Sequence, residues 1–128
     1  MAPLSLKASK YSCVWLLVLT LPSVKAATWY VDGNATGANN GTSWTNAWKG
    51  PGSVSGVNAG DIVYISGGSS GLSQTYAMTT WSLPQGTSSG NITYQIGQDP
   101  AHNGTAIFNG GGTSTAWLNG SQVSSRAR

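Results

Sequence analysis

Three acids, one histidine and a single mid-chain lysine carry the acid–base chemistry available between the two ends of this 128-residue chain. The acids are Asp32, Asp61 and Asp99, and there is no glutamate. Glycoside hydrolysis normally takes two carboxyl groups flanking one bond. These three stand far apart in sequence, and each sits in turn chemistry: Asp32-Gly33-Asn34, Asp61 just before an apolar run, and Asp99 before Pro100. Aspartate in such places accepts backbone N–H groups, so all three are expected to be structural. His102, in Asp99-Pro100-Ala101-His102-Asn103-Gly104, is expected to be a solvated loop residue despite the suitability of imidazole near neutral pH. Lys49, after Trp48, is expected to be a surface charge. No residue is assigned a catalytic role.

Metal and nucleotide chemistry find no complete set either. Cys13 is the only cysteine and His102 the only histidine, which excludes a structural zinc site. Calcium could use the oxygen-rich loops at 32–34 and 39–42, weighed against ordinary Asx-turns there. No cofactor is expected. Gly67-Gly68-Ser69-Ser70-Gly71 lacks the lysine and the following helix of a phosphate loop, and the chain is read as holding no hydrolase nucleophile elbow.

The elements that must position these residues begin after a leader. Lys7 and Lys10 precede an apolar run, Cys13 to Leu21. Pro22 breaks it, and Val24-Lys25-Ala26 places small residues at −3 and −1. This predicts a secretory signal peptide over 1–26, cut after Ala26. The run is too short for the roughly 20 residues that span a bilayer, so no membrane span is expected in the mature chain. Cleavage removes half of the six basic residues. Lys49, Arg126 and Arg128 then balance the three aspartates at zero net charge, which gives no reason to expect nucleic-acid binding. Cys13 leaves as well, so no disulfide is available.

The mature part holds only 14 Leu, Ile, Val and Phe residues but five tryptophans and four tyrosines. Zero net charge and many aromatics argue against disorder and for an ordered, thin-cored, all-β protein. All 18 glycines lie in this part, as punctuation between the β runs Thr28–Val31, Ile62–Ser66, Ile92–Ile96, Ala106–Phe108 and Ala116–Leu118. Four Asn-Gly pairs, at Asn40, Asn103, Asn109 and Asn119, would suit hairpins and a small β-sandwich. Gly110-Gly111-Gly112, however, is a poor hairpin specifier, and long loops favour a parallel solenoid. Ile62 and Tyr64 alternate with Val63 and Ile65, but which pair faces inward is not fixed.

The order Trp29-Tyr30-Val31-Asp32, Asn39-Asn40-Gly41-Thr42-Ser43-Trp44, Ala47-Trp48, Ala59-Gly60-Asp61-Ile62-Val63-Tyr64-Ile65, Ile92-Thr93-Tyr94-Gln95-Ile96 and Ala106-Ile107-Phe108-Asn109-Gly110 resembles the N-terminal entry of secreted right-handed parallel β-helix proteins, the pectate-lyase-like superfamily. The resemblance covers Thr28 to about Gly120. It implies an entry or capping segment at 27–57 with a capping strand, and the first one to two coils of a β-helix at 58–128, incomplete at the C-terminus. It also implies a lyase or hydrolase acting on extracellular polysaccharide, with catalytic residues beyond Arg128 and this chain alone inactive. The acid cluster with an arginine or lysine on a later coil that such a lyase needs is not found between Ala27 and Arg128.

Sugar rings stack on aromatic planes, which makes Trp44, Trp48 and Trp81 the candidate carbohydrate-binding residues; the competing expectation is that they cap the first coil. Trp29 and Trp117 are expected to be packed. Asn34, Asn40, Asn91, Asn103 and Asn119 stand in glycosylation sequons, relevant in a eukaryotic source. The functional expectation is therefore a secreted protein that acts on or binds extracellular polysaccharide. The alternatives are a non-catalytic surface adhesin or structural β-solenoid, and a small carbohydrate-binding β-sandwich.

Overall fold

The computed structural model describes residues 25–77, 83–110, 115–118 and 123–125. They form seven strands and one short 3-10 turn at Pro51–Ser53. The strands are β1 (Thr28–Val31), β2 (Ile62–Ile65), β3 (Ser73–Ala77), β4 (Ile92–Ile96), β5 (Thr105–Asn109), β6 (Thr115–Leu118) and β7 (Val123–Ser125). Among the described residues the regular structure is thus nearly all strand, with almost no helix.

Two sheets share the core. One has the order β1-β2-β4-β7 and the other β3-β5-β6. Pairs β1–β2, β2–β4 and β3–β5 are parallel, whereas β7 joins β4 and β6 joins β5 antiparallel. Each of β2 and β4 leads through a loop corner into a strand of the second sheet, so one strand–corner–strand path is run twice.

Register turns this path into aligned files of side chains. Val31 pairs with Ile65, and Ile65 with Ile96; all three are buried. Trp29, Val63 and Tyr94 form the neighbouring file. Val63 and Ile65 therefore face inward, with Ile62 and Tyr64 half-buried on the other side. From the second sheet Gln74 and Tyr76 of β3 and Ala106 and Phe108 of β5 complete the core, with Tyr76 stacked on Phe108 at 5.6 Å. Burying these rings and β-branched side chains supplies about 1.5–3 kcal/mol apiece.

The entry segment covers the edge of β1 opposite β2. Trp48 N–H donates to Tyr30 O, and Asp32 N–H to Trp48 O. Trp48 is thereby drawn into the core and stacks on Trp29 at 5.2 Å. Occupying that edge removes unpaired backbone groups that would otherwise template aggregation.

The turn into β2 is held by Asp61, whose side chain is buried. Its Oδ1 accepts from Ala27 N–H at 2.8 Å, and its Oδ2 from Trp29 Nε1–H at 2.9 Å and Asn58 N–H at 2.8 Å. The structural role expected for Asp61 is what the structure shows. The turn expectations for Asp32 and Asp99 hold too: Asp32 Oδ1 accepts from Asn34 N–H, and Asp99 Oδ1 from Ala101 N–H.

The sequence reading and the structure differ at three places. Strand β3 was not expected, because Ser73-Gln74-Thr75-Tyr76-Ala77 has no β-branched aliphatic residue and turns Gln74 inward. Strand β7 lies in a segment that gave no strand signal. The Gly110-Gly111-Gly112 run, poor as a hairpin specifier, nevertheless lies between antiparallel partners β5 and β6.

The two corners touch through glycine. A Cβ on Gly67 would run into the backbone of Gly104, and the reverse also holds. Gly67 N–H donates to His102 O and Gly104 N–H to Gly68 O, so neither backbone can retreat without losing a bond. Gly67→Ala is expected to destabilise the fold by ~2–4 kcal/mol or to prevent folding, read from a chemical-denaturation midpoint.

Asp61 also predicts a pH dependence. Burial alone would raise its pKa, but the N–H groups of Asn58, Ala27 and Trp29 outweigh burial and hold it below the usual carboxylate value. A carboxyl depressed by folding stabilises fully above its unfolded pKa of about 3.9 and loses that contribution as pH falls through the folded value. The stability gap between the native chain and Asp61→Asn is expected to be constant above about pH 5 and to close as pH drops below ~4. Thermal melts across that range measure it.

Candidate functional site

The outward file beside the core builds an aromatic cleft. Tyr30 on β1 and Tyr64 on β2 are register partners, and their rings stack at 6.0 Å. Trp44 from the entry segment meets Tyr30 edge-on at 4.8 Å. These three side chains, with Gln98 and Asp99 from the corner after β4, line a cleft of about 370 Å³.

Trp44 is fixed from two sides. Its Nε1–H donates to Asp99 Oδ2 at 2.9 Å, and its ring lies on the His102 imidazole at 3.8 Å, 12° from parallel. A rigid, half-buried indole keeps its stacking surface without an ordering cost on binding.

His102 is therefore a packed residue, which corrects the expectation of a solvated loop histidine. Its side chain is 17% exposed. Its Nδ1 lies 3.0 Å from Ser66 Oγ and 3.4 Å from Asp32 Oδ2, while Nε2 is 4.0 Å from Asp99 Oδ1. Asp32 Oδ1 is bonded to Gln74 Nε2–H as well as to Asn34 N–H. Tyr76 O–H donates to Ser66 O at 2.7 Å. Burial first, and the Asp32 charge second, push the Tyr76 phenol well above its ordinary pKa; it stays neutral and donating.

Serine, histidine and aspartate thus meet, but not as a nucleophilic triad. A triad needs the serine on one imidazole nitrogen and the acid on the other. Here Ser66 and Asp32 approach the same Nδ1. Ser66 is also 1% exposed, and its Oγ accepts from Gly68 N–H. The cluster is a structural knot that backs Trp44.

The neighbouring Gly67-Gly68-Ser69-Ser70-Gly71 does fit the Gly-x-Ser-x-Gly spacing of a nucleophile elbow, contrary to the sequence reading. Such an elbow joins a strand to a helix. This segment joins β2 to β3, two strands, and no helix follows its central serine, Ser69. The spacing is present and the required context is not.

Of the tryptophans singled out from sequence, Trp44 lines the cleft. Trp48 is 4% exposed in the core and offers no ring face to a ligand. Trp81 and Asn119 lie outside the described residues. Asn34, Asn40, Asn91 and Asn103 are all exposed. In the loops considered for calcium, the Oδ1 atoms of Asp32, Asn39 and Asn40 already accept hydrogen bonds within the chain. Among the described residues no group of three or more His, Cys, Asp or Glu side chains is gathered, and no helix is long and apolar enough to cross a membrane.

Sequence reasoning missed Tyr30, Tyr64 and Gln98. A signal for the tyrosines was present: Trp29-Tyr30-Val31 and Val63-Tyr64-Ile65 place tyrosine at one offset between inward-facing residues, as parallel in-register strands require.

Compared with protein-family models, curated proteins and solved structures, the chain finds no match in any of the three.

If the knot is structural, Ser66→Ala should lower Tm by a few degrees and release the His102 ring, moving Trp44 fluorescence toward that of a more solvated indole. Near-ultraviolet circular dichroism and emission spectra check both.

Proposed function

We propose that the chain is the entry portion of a secreted, right-handed parallel β-solenoid protein that binds extracellular polysaccharide through the Tyr30–Tyr64–Trp44 cleft. The carrying observation is the geometry of Trp44, an indole clamped by Asp99 and backed by His102 beside two stacked tyrosines. Apolar ring faces with a few polar groups at the edge suit a sugar, and Gln98 and Asp99 supply that edge. The doubled strand–corner–strand path supports the solenoid reading, and the 1–26 leader supports secretion.

Binding is favoured over catalysis. The acids have structural partners, and the serine–histidine–aspartate meeting has the wrong geometry. The cleft lining includes one charged group, the Asp99 carboxylate, and no cation. Neutral or amino sugars therefore fit it better than the uronates that the resemblance to pectate-lyase-like proteins would suggest.

The test is affinity electrophoresis or calorimetry against a panel of neutral, amino and acidic polysaccharides. The native chain is expected to bind a neutral or amino polymer in preference to polygalacturonate. Trp44→Ala is expected to weaken that binding about tenfold or more, ~1.4 kcal/mol, with the fold retained by circular dichroism. Unchanged affinity in the folded variant, or no binding across the panel, overturns the reading.

A further inference from the structure

Asp61 offers a site for a positive charge that the described residues do not supply. Its carboxylate is 2% exposed and accepts three N–H groups, yet the ion pairs among the described residues all involve His102, and none involves Asp61. These three N–H dipoles already hold the carboxylate in its charged form, and a full positive charge at one of the donor positions strengthens that hold when the geometry is good. One of the three donors is unlike the others. It is the backbone nitrogen of Ala27, 2.8 Å from Oδ1, which is the first residue after the Val24-Lys25-Ala26 leader motif.

Lys25 and Ala26 are exposed, while Ala27 is half-buried. Ala27 is tied on both sides of its backbone: N–H donates to Asp61, and its carbonyl accepts from Ile62 N–H at 3.0 Å. The parallel pairing of β1 on β2 thus extends back to Ala27, the residue next to the Ala26–Ala27 bond.

We propose that the Ala26–Ala27 bond is a processing site, and that the α-ammonium group it releases docks on the buried Asp61 carboxylate as the countercharge this residue otherwise lacks. A leader peptidase that reads small residues at −3 and −1 adds water across the bond. Ala26 leaves with the new carboxylate, and Ala27 keeps the new amine, which is protonated at neutral pH because its ordinary pKa is about 8. One amide N–H then becomes an ammonium with three donors and a full charge at the same atom, and the hydrogen bond becomes charge-assisted. Removing the leader therefore tightens the fold rather than merely trimming it. The cut rests on the secretion reading given above; the docking rests on the Ala27–Asp61 geometry alone.

Two measurements separate these halves. In the 128-residue chain, a site-specific protease sequence replacing residues 22–26 lets one folded sample be melted before and after the cut that frees Ala27. The cut is expected to raise Tm by about 5 °C or more and to leave the Ala27 amino group titrating above its ordinary value of about 8 by NMR. In Asp61→Asn the gain disappears. An unchanged Tm with an ordinary amino titration overturns the docking, and the NMR titration decides the matter in the native sequence even where Asp61→Asn does not fold. Intact-mass analysis of the protein secreted by cells expressing the whole chain is expected to show Ala27 at the terminus. A different terminus overturns the processing site and leaves the docking result standing.

Discussion

The three N–H bonds to the Asp61 carboxylate fix the relation of β1 to β2, and most of the described structure inherits that relation. Ala27 and Trp29 approach from the β1 side and Asn58 from the turn before β2, so one side chain sets both the position and the register of the first strand pair. Register in a sheet is unforgiving, because a slip of one residue sends every side chain to the opposite face. With Thr28 on Ile62, the residues Val31 and Ile65 meet inside and Tyr30 and Tyr64 meet outside. The core file and the cleft floor are two faces of the same alignment.

His102 joins that alignment to the second sheet. Its ring lies against Trp44 at the cleft, and its Nδ1 reaches the Ser66–Asp32 cluster. Ser66 in turn accepts the Tyr76 phenol through its carbonyl, so polar contacts run continuously from cleft wall to β3. A thin core gains from such a network only when its members are satisfied. Here the hydroxyl, imidazole and carboxylate each find a partner, while Gln74 Oε1 is left buried without one; the satisfied members give rigidity where few aliphatic side chains are available.

Much of the first sheet was legible in the sequence, because β1, β2 and β4 carry the β-branched and aromatic runs that a half-buried strand needs. The inward face was not, since Ile62 and Tyr64 are as apolar as Val63 and Ile65; only pairing with β1 and β4 decides between them. Strand β3 was hidden by its polar composition, with Gln74 turned inward. The burial of Trp48 depends on its bridge to Val31, and the packing of His102 on a tryptophan far away in sequence. Of the cleft, Trp44 could be named from its polar surroundings. The tyrosines share one offset in their two apolar runs, but that their rings meet follows only from the parallel register of β1 on β2.

The Tyr30–Tyr64 pair carries a directional consequence. The two rings are related by the translation that builds the sheet, one strand spacing of about 4.8 Å, opened to 6.0 Å between centroids. A ligand touching both must lie across the strands, along the hydrogen-bonding axis, and not along any one of them. The next position in that file is Gln95, which is buried and not aromatic. The sheet's own lattice thus acts as a ruler for whatever lies on it, and its graduations end after two marks.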